Sequence, residues 1–220
     1  MLERFIDVLE SDDPRAEPAA ATRDRLKARF APGATRRMTT LGMLLGASLA
    51  RMGPSEADAI VYASGYGESR ALEDFLDTFP NPSPTLFQTS IHPSAVQQAM
   101  IGGQRPAGEF MALSGGNLLA FHALRACLLS GARRVLLCGG EETGTWLLEH
   151  GLASPRTFAF ATALTQERGP SALGSVQLEP FDTDGSMALP ELFDLLHARA
   201  PHAGPIAPGW RLSLSWFPTP

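Results

Sequence analysis

The sequence predicts an α/β domain, and three observations carry that expectation. Between Glu109 and Glu142 a short apolar run, Phe110 to Leu113, ends at Ser114 and two glycines, and an amphipathic segment, Asn117 to Ser130, then leads through Gly131 to a second apolar run, Val135 to Cys138. That order is strand, tight turn, helix, strand, the βαβ unit of a parallel pair. Strand-like and helix-like periods also alternate along the rest of the chain. The 220 residues, 44% of them hydrophobic, suffice for one full core and give no sign of a second domain.

The elements follow in order. Met1 to Leu9 fits a short helix, and Ser11 to Ala21, rich in Asp, Pro and Ala, fits a loop or flexible joint. From Arg36 to Arg51 the apolar residues Met38, Leu41, Leu44, Leu45 and Leu49 recur at helical spacing, and Gly53-Pro54 stops the helix. Ala59 to Ala63 is a buried strand ending in Ser64-Gly65-Tyr66-Gly67, and Ser69 to Phe79 an amphipathic helix closed by Pro80. Pro80 to Ile91 begins irregularly, and His92-Pro93 opens a helix through Met100 that Gly102 and Gly103 end. Beyond the βαβ unit, Phe158 to Leu164 and Ser175 to Leu178 read as strands, Leu189 to Ala200 as a helix, and Trp210 to Phe217 as a last strand.

Composition excludes several functions. No apolar stretch reaches membrane-spanning length, and Glu3, Arg4 and Asp7 interrupt the place where a signal peptide needs its apolar core. The expectation is a cytoplasmic protein without a membrane span. A formal charge of −5 without a basic run argues against nucleic acid. The pairs Arg36-Arg37 and Arg133-Arg134 read as solvated surface, or as a contact for one acidic protein. Cys127 and Cys138 lie in apolar context and read as small buried hydrophobes; with five unpaired-looking histidines they give no metal set, and no cofactor is expected.

Position makes Ser114 the first candidate for chemistry, because a strand-to-helix turn presents a side chain to a ligand at a helix amino end. Its simplest role there is a helix cap. Ala112-Leu113-Ser114-Gly115-Gly116 also resembles a nucleophile elbow, with Asp182, Asp184 or Asp194 and His197 or His202 downstream as the other members of a serine-hydrolase triad. The expected oxyanion loop is missing from that reading. His122 on the helix reads as a buried histidine satisfied by backbone, His92 as a helix-start residue, and Gly139-Gly140 as close-packing positions rather than a phosphate loop.

The same residues carry a resemblance. Leu118, Ala120, Phe121 and His122 fall where β-ketoacyl synthases of the thiolase superfamily have the helix after their nucleophile, and Cys138, Gly139 and Gly140 fall on that family's Ala-Gly-Gly. Counting back from His122 places Ser114 on the family's nucleophilic cysteine. The Arg-Arg-Met segment before the Arg36 to Arg51 helix, the Ser64-Gly65-Tyr66-Gly67 strand end, Arg105-Pro106, and the strand before Arg168-Gly169-Pro170 occur in the family's order, so the resemblance runs from about Arg36 to Leu178. It implies a thiolase-like layered fold, a mixed β-sheet between helices, corresponding to the amino-terminal half only. Residues 1–220 form that single domain, with 1–35 a variable amino-terminal segment and 179–220 a covering tail.

The resemblance also implies a function. Condensing enzymes hold the acyl chain on a cysteine thiolate and use two histidines of the second half, and a serine needs an adjacent base to replace the thiol. The chain stops before that half, so condensation by it alone is not expected. It resembles the half-length, chain-length-factor-like subunits of aryl polyene and xanthomonadin-type pathways, which implies a heterodimer with a full-length β-ketoacyl synthase and delivery of substrate by an acyl carrier protein. By the same resemblance Phe87, Gln88, Thr89 and Ile91 line the partner's acyl tunnel, and the strand Glu109 to Leu113 is the edge used for pairing, left bare in a half-fold. A stand-alone acyl-binding or scaffolding protein is the remaining class.

Overall fold

The computed structural model describes residues 1–104 and 106–218; Arg105, one of the residues that carry the resemblance, lies outside them. In chain order the strands are β1 (Leu2–Asp12), β2 (Ala59–Ser64), β3 (Glu109–Ser114), β4 (Arg134–Glu141), β5 (Phe158–Thr165), β6 (Gly174–Pro180), β7 (His202–Ala207) and β8 (Trp210–Trp216). The helices are α1 (Ala19–Lys27), α2 (Thr40–Met52), α3 (Ser69–Leu76), α4 (Pro84–Ser90), α5 (Ser94–Gly102), α6 (Leu119–Leu129), α7 (Trp146–Glu149) and α8 (Leu189–His197). The strands form one mixed sheet in the order β3-β2-β4-β5-β1-β6-β8-β7. β3, β2 and β4 run parallel, and every other neighbouring pair is antiparallel.

Both faces are covered, which is why the central strands read as unbroken apolar runs. Val61, Val135, Leu137, Phe158 and Phe160 face α6 and α8, and the alternate residues Ile60, Tyr62, Leu136, Cys138 and Ala161 face α2 and α5. The layering is therefore helix, sheet, helix, as the resemblance implies. Residues 179–218 add β7 and β8, which widen the sheet, and α8, which lies on the α6 face.

Several elements differ from the sequence reading. Residues 2–12 are a strand near the sheet's middle, not a helix. Leu2, Phe5, Ile6 and Leu9 sit at the spacing of a helix face, so the pattern alone fits either form. Pairing with β5 and β6 decides it, and a bulge between Ile6 and Val8 returns Leu9 to the face of Ile6. The joint after it contains α1, whose Leu26 is fully buried. The irregular start of Pro80 to Ile91 gives way to α4, which Ser83 caps through the Leu86 N–H. Ahead of β8 lies β7, an edge strand shortened in pairing by Pro205 and a register shift beside it.

Two basic side chains prove to be internal fastenings. Arg4 is 1% exposed and donates to the carbonyls of Ser130 at 2.6 Å, Ala132 at 2.9 Å and Arg133 at 3.3 Å, fixing β1 to the end of α6. Arg134, read from sequence as surface, pairs with Asp58 at 3.2 Å and donates to the Met52 carbonyl, while Arg133 is exposed. Cys127 and Cys138 are free thiols, fully buried, and burial pushes the Cys138 thiol up to about 12. Among the described residues no helix is long and apolar enough to cross a membrane.

Candidate functional site

The three parallel strands end together, and their carboxyl ends gather the residues singled out above. Ser64 of β2 lies in register with Ser114 of β3, and β4 ends beside them in Gly139-Gly140-Glu141. The two glycines let strands approach: a Cβ on Gly139 would stand 2.8 Å from the Ala63 carbonyl, and one on Gly140 would stand 2.4 Å from the Phe158 carbonyl. Close packing, rather than phosphate binding, is thus their use. Gly140→Ala is expected to lower stability by about 2 kcal/mol in chemical denaturation, because backbone must move to admit the methyl group.

Glu141 is the buried charge of this cluster. Its carboxylate, 2% exposed, accepts hydrogen bonds from Gly65 N–H at 2.6 Å, Ser64 Oγ at 3.1 Å and Tyr66 N–H at 3.3 Å. Burial, helped by the nearby charge of Glu68, outweighs these donors and raises the acid from its usual 4.5 to about 7. Glu142 is raised by burial too, and accepts from Leu41 N–H at 2.9 Å in the first turn of α2. Glu73, fully buried, goes the other way: burial opposes its charge, but Arg70 and the N–H groups of Thr145 and Leu147 hold it below the usual carboxylate range.

Ser114 is the last residue of β3 and is exposed. It is not a helix cap: α6 starts at Leu119, its cap position is Leu118, and no side chain bonds there. The intervening Gly115 to Leu118 turn separates the hydroxyl from the helix end. Among the described residues its Oγ has no hydrogen-bond partner, whereas a serine nucleophile is activated by an adjacent base. The hydrolase reading fails on geometry as well. His202 lies on β7, the far edge of the sheet from β3, roughly 30 Å away at ordinary strand spacing. His197 is stacked on Phe193 and bonded to Ser11 Oγ at 2.9 Å. Asp194 pairs with Arg156, and Asp182 and Asp184 are exposed beyond β6. His122 is exposed on α6, not buried.

The segment Phe87 to Ile91 splits between two surroundings. Gln88, Thr89 and Ile91 line a groove of about 480 Å³ with Ser94, Gln97 and Ile101 of α5. Phe87 instead meets Phe75 of α3 at 5.3 Å between ring centres, with half its surface exposed. Thr89 is buried, its hydroxyl donating to the Leu86 carbonyl at 2.9 Å. On the α6 side of the sheet the edge strand β3 is open: Phe110 and Met111 are 40% and 49% exposed, and with Ala126 and Leu129 of α6 they border a separate groove of about 590 Å³. Unpaired strand groups joined to an apolar surface mark a place for another chain.

Sequence reasoning gave no role to Glu141, Glu68 or Tyr62 and read His92 only as a helix-start residue. Glu68 is buried and bonds His92 Nδ1 at 3.0 Å, and the His92 ring is stacked on Tyr62 at 5.0 Å. An acid one residue past a glycine-rich strand end gave a signal, but its partner lies 24 residues on and only the fold joins them.

No protein-family model matches the chain, and no curated protein matches it in sequence. Solved structures do match in fold. A chain from a complex of a ketosynthase with its chain length factor from Xenorhabdus doucetiae superposes with a TM-score of 0.68 at 21% identity, covering 98% of this chain and 100% of that one. The ishigamide ketosynthase/chain length factor gives a TM-score of 0.60 at 16% identity over 82% of this chain and 68% of the other. An oxazolomycin ketosynthase domain from Streptomyces albus gives 0.50 at 13% identity, over 84% of this chain and 48% of that one. The fold is the one these proteins share.

Proposed function

We propose that this chain, which has the fold of ketosynthases, is a non-catalytic, chain-length-factor-like subunit that pairs with a full-length β-ketoacyl synthase and shapes its acyl tunnel. The product would be a polyene, polyketide or fatty-acid-type chain. The observation that carries the reading is the end-to-end likeness to a chain from a ketosynthase and chain length factor complex. Two features of the site support it. Ser114 stands exposed at the strand end, where among the described residues its hydroxyl has no hydrogen-bonded base of the kind a serine nucleophile uses. The open edge of β3, with Phe110 and Met111, offers the surface for a heterodimer. An acyl carrier protein would bring substrate to the complex in the cytoplasm, a reducing compartment that suits two free thiols.

Co-expression with a full-length ketosynthase is expected to give a co-purifying pair in size-exclusion chromatography. Lysine at both Phe110 and Met111 should weaken that pair by roughly tenfold or more, since hot-spot apolar contacts cost that much when lost. The isolated variant should melt where the wild type melts, because neither side chain is in the core. A chain that stays alone beside such a synthase, or one labelled at Ser114 by a fluorophosphonate, overturns the reading.

A further inference from the structure

The helix that carries Phe87, Gln88 and Thr89 lies against α3 through Phe87 on Phe75. Of its seven residues only Thr89 is buried, so much of its placement falls to its ends. At the amino end the Ser83 N–H donates to Thr78 Oγ1 at 3.1 Å. The carboxyl end is tied more firmly. One carboxylate, Glu68 in the turn between β2 and α3, reaches both sides of Pro93: Oε2 meets His92 Nδ1 at 3.0 Å, and Oε1 accepts the Ala95 N–H at 3.1 Å. The His92 ring lies on Tyr62, at 27° between planes, and Tyr62 is a fully buried residue of the central sheet. Gly67, at φ +58°, closes the turn over that ring; a Cβ there would stand 3.4 Å from His92 Nδ1. Ser94 Oγ completes the tie by donating to the Thr89 carbonyl at 2.5 Å.

We propose that His92 is a positioning residue: held by Glu68 and stacked on Tyr62, it clamps the Phe87 to Ile91 segment to the rigid sheet, so that the segment presents one fixed wall. A side chain locked by packing and by a buried hydrogen-bond partner holds its neighbours to a fraction of an ångström. The consequence for product length rests on the function proposed above; the clamp itself does not.

Hydrogen exchange read by mass spectrometry on the purified full chain tests the clamp first. His92→Ala is expected to speed exchange of the amides from Leu86 to Ile91 by roughly tenfold, with the sheet unchanged, since a local opening then costs less. His92→Asn, which keeps a nitrogen near the Nδ1 position, should recover much of the protection. Unchanged exchange in this segment, or a uniform rise over the whole chain, overturns the proposal. Should His92→Ala fail to fold, His92→Phe, which keeps a ring on Tyr62 but has no nitrogen for Glu68, carries the same test with the acceptor for Ala95 retained. In the complex co-expressed with the synthase, His92→Ala should broaden the distribution of product lengths while the yield of complex holds. A loosened segment that leaves the distribution unchanged overturns the positioning role. A wild-type chain that binds no synthase sinks the function instead, and exchange alone then decides the clamp.

Discussion

Arg4→Met is expected to cost the fold about 3 kcal/mol, because one buried cation satisfies three carbonyls that would then lose their donor. The guanidinium is buried, and among the described residues no carboxylate is bonded to it. Its three acceptors are carbonyls of Ser130, Ala132 and Arg133, where α6 ends and the chain turns into β4. A helix carboxyl end carries partial negative charge and free carbonyls, so one cation answers both. Methionine fills much of the space but leaves those oxygens without donors, each at a cost of about 1–3 kcal/mol. Urea unfolding of the two proteins measures the difference, and Arg4→Lys should fall between them because a point charge cannot reach three acceptors. A loss under about 1 kcal/mol would show that water takes over the carbonyls.

Glu141 makes the second large effect one of pH. Its acid is raised to about 7 in the fold against an ordinary 4.5, so folding takes up a proton between those values. Its contribution is full below pH ~4.5 and is lost as pH rises through about 7. Glu142, raised by burial, adds the same sign. Glu73 and Asp13, both lowered, contribute stability above their unfolded values and lose it only in stronger acid, outside that window. The melting temperature should therefore fall from pH 5 to pH 8. Glu141→Gln, which has no proton to give up, should flatten most of the slope and gain up to about 3 kcal/mol at pH 8. The amide offers one acceptor fewer to Gly65 and Tyr66, which trims that gain. A slope unchanged in the variant would mean that another group governs it.

Much of the fold was legible because burial on both faces leaves its mark on composition. β2, β4 and β5 are apolar runs bounded by glycine or polar residues, and α2 and α6 keep a helical period. The segment at residues 2–12 was not legible, since its apolar spacing suits a helix face and only two neighbouring strands make it extended. The same holds for Arg4: nothing local marks a charged residue as buried when its acceptors lie more than 120 residues away. At the site, Ser114 was placed at the strand end but given a capping role that belongs to a position four residues later. Phe87, Gln88, Thr89 and Ile91 were found as a segment, yet their separation between an aromatic cluster and a groove depends on the turn of α4. His92 and Glu68 could not be joined from sequence, being two elements apart.

The two margins of the sheet are unlike. At β7 the pairing register breaks between Pro205 and Ala207, and the Met187 N–H already bonds the Ile206 carbonyl on the outer side, so a further strand finds no continuous ladder there. At β3 nothing interrupts it. A protein with one adhesive border has a valency of one: the first strand to arrive ends growth, and the assembly closes as a pair rather than extending into filaments. Straightening that bulge and freeing Ile206 from Met187 would give the molecule a second valency, and with it a route to polymers.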